Sequence, residues 1–312
     1  MILIVGASGH VGGLIVQRLL AQGMPLRLMS RHQEALAKWS KEGVEIVQGD
    51  VRDPHSLNAA CQGVTQVITT AHASEGTHGN TPLEVDLLGN RALIAAAKRA
   101  GVEHFVFTST HSAQPDSPVD LFRFKYRSEE ELRASGMDYT ILRPTHLMDT
   151  WVALLGQQVL TRKVATLYGR GENPISLVAG TDVAAFAALA LTQPAARNQS
   201  ISIGGPEHHT LRQVVACFED LLGRPIRVRT MPSGLLRLTA LSMRPFNPVL
   251  SRQAMMAWLV DARNQVVDMA TTLQRYPVHL TPLVEFVAEY IRSRTSTLVS
   301  ATLSRSTDES LS

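Results

Sequence analysis

The chain has 312 residues, 45% hydrophobic and 18% charged, with a formal net charge of +3. That is apolar matter enough for a sizeable core and too little charge for a disordered chain. No dense Lys/Arg run interleaved with aromatics points to nucleic acid, and no apolar run approaches the ~18 residues that span a bilayer. Cys61 and Cys217 alone make neither a disulfide framework nor a zinc site, so no metal is expected and a reducing cytoplasm suits the chain. Met1-Ile2-Leu3-Ile4-Val5 reads as a strand rather than a leader segment.

From residue 1 to about 145, short apolar runs alternate with helical patterns. Runs at 2–5, 26–29, 44–47, 67–70, 105–108 and 139–142 read as buried strands, and 11–21, 33–41, 54–61, 83–100 and 122–135 as helices. Gly23, Gly43, Gly63, Gly101 and Gly136 each follow a helical stretch, as a C-terminal cap does. The repeated strand, helix, glycine pattern predicts an α/β fold with a Rossmann-type, doubly wound parallel sheet.

The second half is less regular. After a loop at 169–174 come a helix over 181–191, a short strand over 200–203 and a turn at Gly204-Gly205-Pro206. Thr210 opens a helix running to 222. Further helices are expected over 254–267 and over 282–291, where Thr281 and Pro282 suit a helix start. No second sheet of any size is expected. The reading is a dinucleotide-binding domain over 1–150, a small and mostly helical substrate-capping region over 151–294, and a mobile Ser/Thr-rich tail over 295–312.

The strongest local signal is Gly6-Ala7-Ser8-Gly9-His10-Val11-Gly12, directly after the first strand. Gly6 permits a sharp turn, Gly9 a close backbone approach to pyrophosphate, and Gly12 tight helix packing. Loop residues Ser8, His10 and Val11 surround the exposed helix N-terminus, which attracts the anion. About 20 residues on, an NAD site carries an Asp or Glu. Here the second strand ends in Ser30-Arg31, a hydroxyl and a guanidinium suited to a 2′-phosphate, so NADP(H) is the expected cofactor. Asp50, with Val51 beside it, either accepts from the adenine amino group or caps the turn before Pro54.

Together these residues resemble the NmrA-like group of atypical short-chain dehydrogenase/reductases. The resemblance rests on GASGHVGG, Ser30-Arg31, QGDVRDP at 48–54, FVFTST at 105–110, Lys125 and SGMDYTILRPTHLMD at 135–149. It continues more loosely through GTDVAAFAALAL at 180–191 and GGPE at 204–207. It implies that Arg143 and Pro144 lie beside the nicotinamide and that Lys125 contacts the cofactor. The group includes flavin-independent quinone and azo reductases, plant-type reductases of aromatic substrates, and NADP-binding regulators without activity. Short-chain dehydrogenases usually carry a tyrosine four residues before the lysine; that position is Leu121, and Tyr126 falls on another helix face.

Ser109 and Thr110 end the fifth strand, where the wider superfamily keeps its catalytic serine. Ala71 and His72 end the fourth strand, His111 follows the fifth, and His146 follows Pro144. A histidine on that edge can serve as acid near neutral pH, or simply pack. Lys125, Ser109 and His111 are therefore the catalytic candidates. Phe122, Phe124, Tyr126, His146, Met148 and Trp151 lie in segments suited to a flat substrate, with Met255, Met256 and Trp258 as a lid, although such stripes also build cores. Without a fixed acid, hydride transfer suits electron-poor quinones and azo compounds. The expectation is an NADPH-dependent reductase of a small aromatic molecule, cytoplasmic, with no nucleic acid or membrane partner; a homodimer is compatible with it. A regulator that senses NADP, or a ketone or ene reductase, stays open.

Overall fold

The computed structural model describes residues 1–40, 42–76 and 79–295. The expected tail lies, from residue 296 on, outside the described residues.

Six strands, β1 (Ile2–Val5), β2 (Leu26–Ser30), β3 (Glu45–Gln48), β4 (Gln66–Thr69), β5 (His104–Thr108) and β6 (Asp138–Pro144), pair in the order β3-β2-β1-β4-β5-β6, all parallel. Between them run α1 (His10–Ala21), α2 (Pro54–Cys61), α3 (Asn90–Arg99) and α4 (Asp120–Ala134). The chain moves outward from β1 to β3 and then returns to lay β4 on the other side of β1. This reversal opens a crevice at the carboxyl ends of β1 and β4. The central strand β1 is buried on both faces, with Ile2 and Ile4 in one core and Leu3 and Val5 in the other. Each such side chain contributes roughly 1.5–3 kcal/mol on burial.

The five expected glycine caps all take positive φ, between +68° and +81°. Two expected helices differ. Residues 33–39 form a 3-10 helix, Gln33–Trp39, which has no side-chain cap and buries only Leu36, so little packing rewards a full α-helix. The expected helix over 83–100 opens as a π-helix, Leu83–Gly89, before becoming α3. Such bulges gather at functional sites.

Downstream lie β7 (His146–Leu147), α5 (Met148–Arg162), β8 (Val164–Tyr168), β9 (Ile175–Val178), α6 (Gly180–Thr192), β10 (Gln199–Ile203), β11 (His208–His209), α7 (Leu211–Leu222), β12 (Arg227–Met231), α8 (Ser233–Ser242), α9 (Pro248–Ala262), α10 (Ala270–Arg275) and α11 (283–295). β10 joins the large sheet as its seventh strand, parallel to β6. The remaining strands make two small sheets, β11-β9-β7 and β12-β8, with no strand longer than five residues. Helix α9 is offset from the expected 254–267. Asn247 caps its start by accepting from the Leu250 N–H at 3.0 Å. At its end Asn173 donates to the carbonyls of Val260 and Arg263, and Gln265 turns away to bridge Ile175. Thr210 caps α7 as expected, with Gln213 completing a capping box. Thr281 instead donates its hydroxyl to Asp182 at 2.8 Å. Among the described residues no helix is long and apolar enough to cross a membrane.

Candidate functional site

A cleft of about 750 Å³ runs over the carboxyl ends of β1, β2, β4, β5 and β6. Its floor is the glycine loop. Gly6 sits at φ +88°, and a Cβ on Gly12 would lie 2.1 Å from the Gly6 carbonyl oxygen, so α1 can start this close only without a side chain there. Gly9 is the N-cap of α1, no side chain caps the helix, and its first turn has no acid. The N-terminal N–H groups of α1 therefore present positive potential to the cleft. His10 is tied through Nε2 to Asp149, whose other carboxylate oxygen accepts from the Gly180 N–H at 2.7 Å. Asp149 thus joins the loop to the starts of α5 and α6.

At one end the cleft is lined by Ser30, Arg31, Asp50 and Val51. Arg31 is exposed, and its guanidinium donates to Asn80 Oδ1 at 3.1 Å. Ser30 Oγ is 3.5 Å from Ser8 Oγ. The Asp50 carboxylate accepts from the Arg52 backbone N–H at 2.9 Å and from its guanidinium, and that Arg52 hydrogen bond holds the acid below the usual carboxylate range. The cap of α2 is Asp53, which accepts from the N–H groups of His55 and Ser56. These groups offer a cation and hydroxyls at the end of β2, and no carboxylate on β2 itself.

At the other end lie Ala71, His72, Thr108, Ser109, Lys125, Pro144 and Leu147. Lys125 is buried, donates to the Thr108 carbonyl at 3.2 Å and lies 3.2 Å from Asp86 Oδ1. Asp86 also accepts from the Ala73 N–H at 2.9 Å, so the π-helical turn fixes both the lysine and the loop after β4. Ser109 donates its hydroxyl to Glu129 Oε1 at 2.5 Å. Glu129 is fully buried and is paired with Arg143 and Arg133. His72 is exposed at the cleft mouth; partial desolvation of its ring against the cleft wall and then the Lys125 charge hold it below the usual imidazole range, so it is neutral at pH 7.

An extended crevice, a side-chain-free helix start and a cation at each end suit a dinucleotide. The NAD(P)H-binding family profile matches residues 6–194. The chain belongs to the NAD(P)H-binding family. It is 31% identical over 271 residues to an NAD(P)H azoreductase of Xenophilus azovorans, covering 86% of this chain and 87% of that one. It is 28% identical over 241 residues to the photosystem II assembly factor Ycf39 of Trieres chinensis, covering 77% and 74%. The fold is shared with an NADPH-dependent quinone oxidoreductase of Escherichia coli solved with NADPH, at a TM-score of 0.77 and 21% identity, covering 93% of this chain and all of that one.

In this NAD(P)H-binding chain the cleft brings together Gly6, Ser8, Gly9, His10, Val11, Gly12, Ser30, Arg31, Asp50, Val51, Ala71, His72, Ser109, Lys125 and Pro144. Several other candidates are placed elsewhere. His111 is half-buried, its backbone N–H donates to the Pro144 carbonyl at 2.9 Å, and burial and the Arg143 charge lower its pKa. Arg143 turns to Glu129 rather than to the cleft lining. Met148 is 1% exposed, packed in a core with Val152 and Leu155. His146 bonds Gln265 at 3.0 Å and meets the Trp151 ring edge-on at 6.0 Å; burial pushes its pKa down to about 4. Phe122 packs with Leu121, Met255, Met256, Trp258 and Leu259, while Tyr126 and Phe124 are half-buried on α4.

Sequence reasoning missed Asn80, Asp149 and the α11 residues Phe286, Tyr290 and Arg294, all of which line the cleft. Asp149 lay inside a quoted motif and could have been noticed as an acid opening a helix. The α11 residues carried no signal, because only the tertiary fold returns that helix to the crevice of the large sheet.

Proposed function

We propose that this chain is a flavin-independent reductase that uses NADPH to reduce a small conjugated aromatic acceptor, a quinone or an azo compound. The observation that carries the proposal is at the tyrosine position. Leu121 is 5% exposed and packed against Val119 and Leu259, so the cleft has a lysine without its usual phenolic partner.

Bound NADPH supplies a hydride from its nicotinamide ring. The glycine loop and the α1 N-terminus hold the pyrophosphate in this reading, and Arg31 and Ser30 the 2′-phosphate. Lys125 donates one hydrogen bond, to the Thr108 carbonyl, and is ion-paired with Asp86, which leaves donor capacity for the cleft. Ser109 already directs its proton at Glu129, so its hydroxyl oxygen is left to accept from a ligand. His72 accepts from the Ser74 N–H through Nδ1 at 3.4 Å, which puts its remaining proton on Nε2 of a neutral ring. A neutral imidazole is a weak acid, and the Lys125 ammonium is already engaged by Thr108 and Asp86. Acceptors that spread the added charge by conjugation and take their proton from water suit such a site.

A regulatory reading has its own support: the same missing acid, and similarity to an assembly factor. Oxidation of NADPH by flavin-free protein, with quinones, azo dyes and aromatic ketones in turn and NADH in parallel, separates the readings. Turnover of quinones or azo dyes with NADPH preferred supports the proposal. Turnover of ketones alone moves the assignment to a ketone reductase. Tight NADPH binding with no turnover supports the regulator.

A further inference from the structure

Residues 221–260 contain no Asp, Glu, Lys or His, but six arginines, at 224, 227, 229, 237, 244 and 252. Two of them turn inward. Arg252 is buried and makes two hydrogen bonds to Asp120, at 2.7 and 2.9 Å, and Arg224 donates to the Val159 carbonyl at 3.2 Å. Arg227, Arg229, Arg237 and Arg244 are exposed, with Arg237 stacked 5.4 Å from the Trp258 ring centre.

Between these arginines the α8–α9 hairpin shows apolar side chains to solvent. Leu235, Leu238 and Leu241 recur every three residues on the outer side of α8, while Leu236 and Ala240 are buried on its inner side. Leu238 is 62% exposed and Phe246, in the turn to α9, 81%; Leu250 continues the patch. Single exposed leucines are ordinary, but five large apolar side chains exposed on one hairpin mark an interaction surface.

The charge selects the occupant. A second copy placed symmetrically would set arginines against arginines with no carboxylate in the segment to offset them. A short helix with leucines on one side, a phenylalanine in the turn after it and arginines around it matches the pattern that lies in the headgroup plane of a bilayer. We propose that the outer face of the α8–α9 hairpin docks on an anionic lipid surface. Its inner face is pinned to the body of the molecule, through Arg252 to Asp120 and to the Ser74 carbonyl at 3.1 Å, two residues beyond cleft-lining His72. Docked in this way, the protein would present the cleft edge beside that loop close to the lipid. The proposal holds whatever the acceptor is.

The test is flotation of the full chain with phosphatidylcholine vesicles made with and without phosphatidylglycerol. We expect flotation with the anionic vesicles that weakens with added salt. Each arginine contributes roughly fivefold to partitioning, so Arg237→Glu with Arg244→Glu should weaken it roughly twentyfold or more. Leu238→Glu with Phe246→Glu should abolish flotation while leaving NADPH binding, the check on folding, unchanged. No flotation with anionic vesicles overturns the proposal, as does flotation that survives the Leu238/Phe246 variant. A dimer that forms without lipid and is lost in that variant would also overturn it, and would assign the face to a second copy.

Discussion

Lys125 Nζ lies 3.2 Å from Asp86 Oδ1, and Asp86 is fully buried in the π-helical turn ahead of α3. Removing the acid strands an ammonium that is itself only 8% exposed. Asp86→Ala should therefore lower unfolding stability by about 3–5 kcal/mol in urea titrations. It should also raise the KM for NADPH, because the Ala73 N–H that Asp86 holds belongs to a cleft-lining loop. A loss below about 1 kcal/mol would mean that water entering the cleft already solvates the lysine.

Ser109 stands where a short-chain dehydrogenase keeps a catalytic hydroxyl, but its proton is committed to Glu129. Ser109→Ala should thus reduce kcat less than about tenfold, the range of one lost hydrogen bond. Glu129→Ala should be far more damaging to folding, since it leaves Arg143 and Arg133 without their shared buried carboxylate. A loss of kcat of about a thousandfold in Ser109→Ala would restore the serine as a proton-handling group.

Arg31 is exposed and held at the cleft by Asn80. A charge-assisted hydrogen bond to a 2′-phosphate is worth roughly 1.5–3 kcal/mol. Arg31→Asp should accordingly shift the ratio of kcat/KM for NADPH over NADH by about 10- to 150-fold toward NADH. If that ratio is unchanged, the 2′-phosphate is held elsewhere. Asn80→Ala should produce a smaller shift in the same direction, because the arginine loses its tether.

The sheet was legible because its elements obey local rules: buried runs of four or five residues, glycines at helix ends and a glycine triplet after the first strand. The cleft lining at the strand ends followed for the same reason, since those residues sit where sequence alone places the ends of strands. The remaining candidates did not. Met148 fits a pocket on sequence grounds as well as it fits a core, and burial chose the core. His111 and His146 do follow strand ends, yet Ser202 and Gln265, far along the chain, take up their rings. Helix α9 ends where it does because Asn173, nearly ninety residues earlier, caps its carbonyls. Contacts of that range leave no periodicity to read.

Buried histidines contribute to the acid limb of stability. His104, fully buried with Nε2 bonded to Thr140 Oγ1 at 2.9 Å, is pushed down to about 4 by burial, as is His146. Each is neutral in the fold but protonates near 6.5 once unfolded, so the unfolded chain binds more protons as pH falls. Stability should be full above pH 6.5 and decline progressively toward pH 4, with His104 accounting for about 3 kcal/mol of the loss. Urea midpoints measured across that window should fall less steeply in His104→Gln. An unchanged slope would mean that His104 takes up its proton equally in the folded and unfolded states.

Helix α11 brings Phe286, Tyr290 and Arg294 to the cleft, with the Arg294 guanidinium 5.5 Å from the Tyr290 ring centre. Tyr290 packs closely on α5: a Cβ on Gly156 would meet its ring at 2.4 Å. The helix is therefore seated by its tyrosine, and its arginine stands exposed at the cleft edge with no acidic partner among the described ion pairs. A dinucleotide carrying phosphates would meet this cation in addition to the α1 N-terminus. Arg294→Glu should raise the Kd for NADPH by roughly three- to tenfold at low salt, and the effect should shrink as ionic strength rises. Fluorescence titration of NADPH across a salt series measures both. A loss that does not depend on salt would point instead to a displaced α11. The Gly156→Ala variant should reproduce that second behaviour, since it moves the helix without touching the charge.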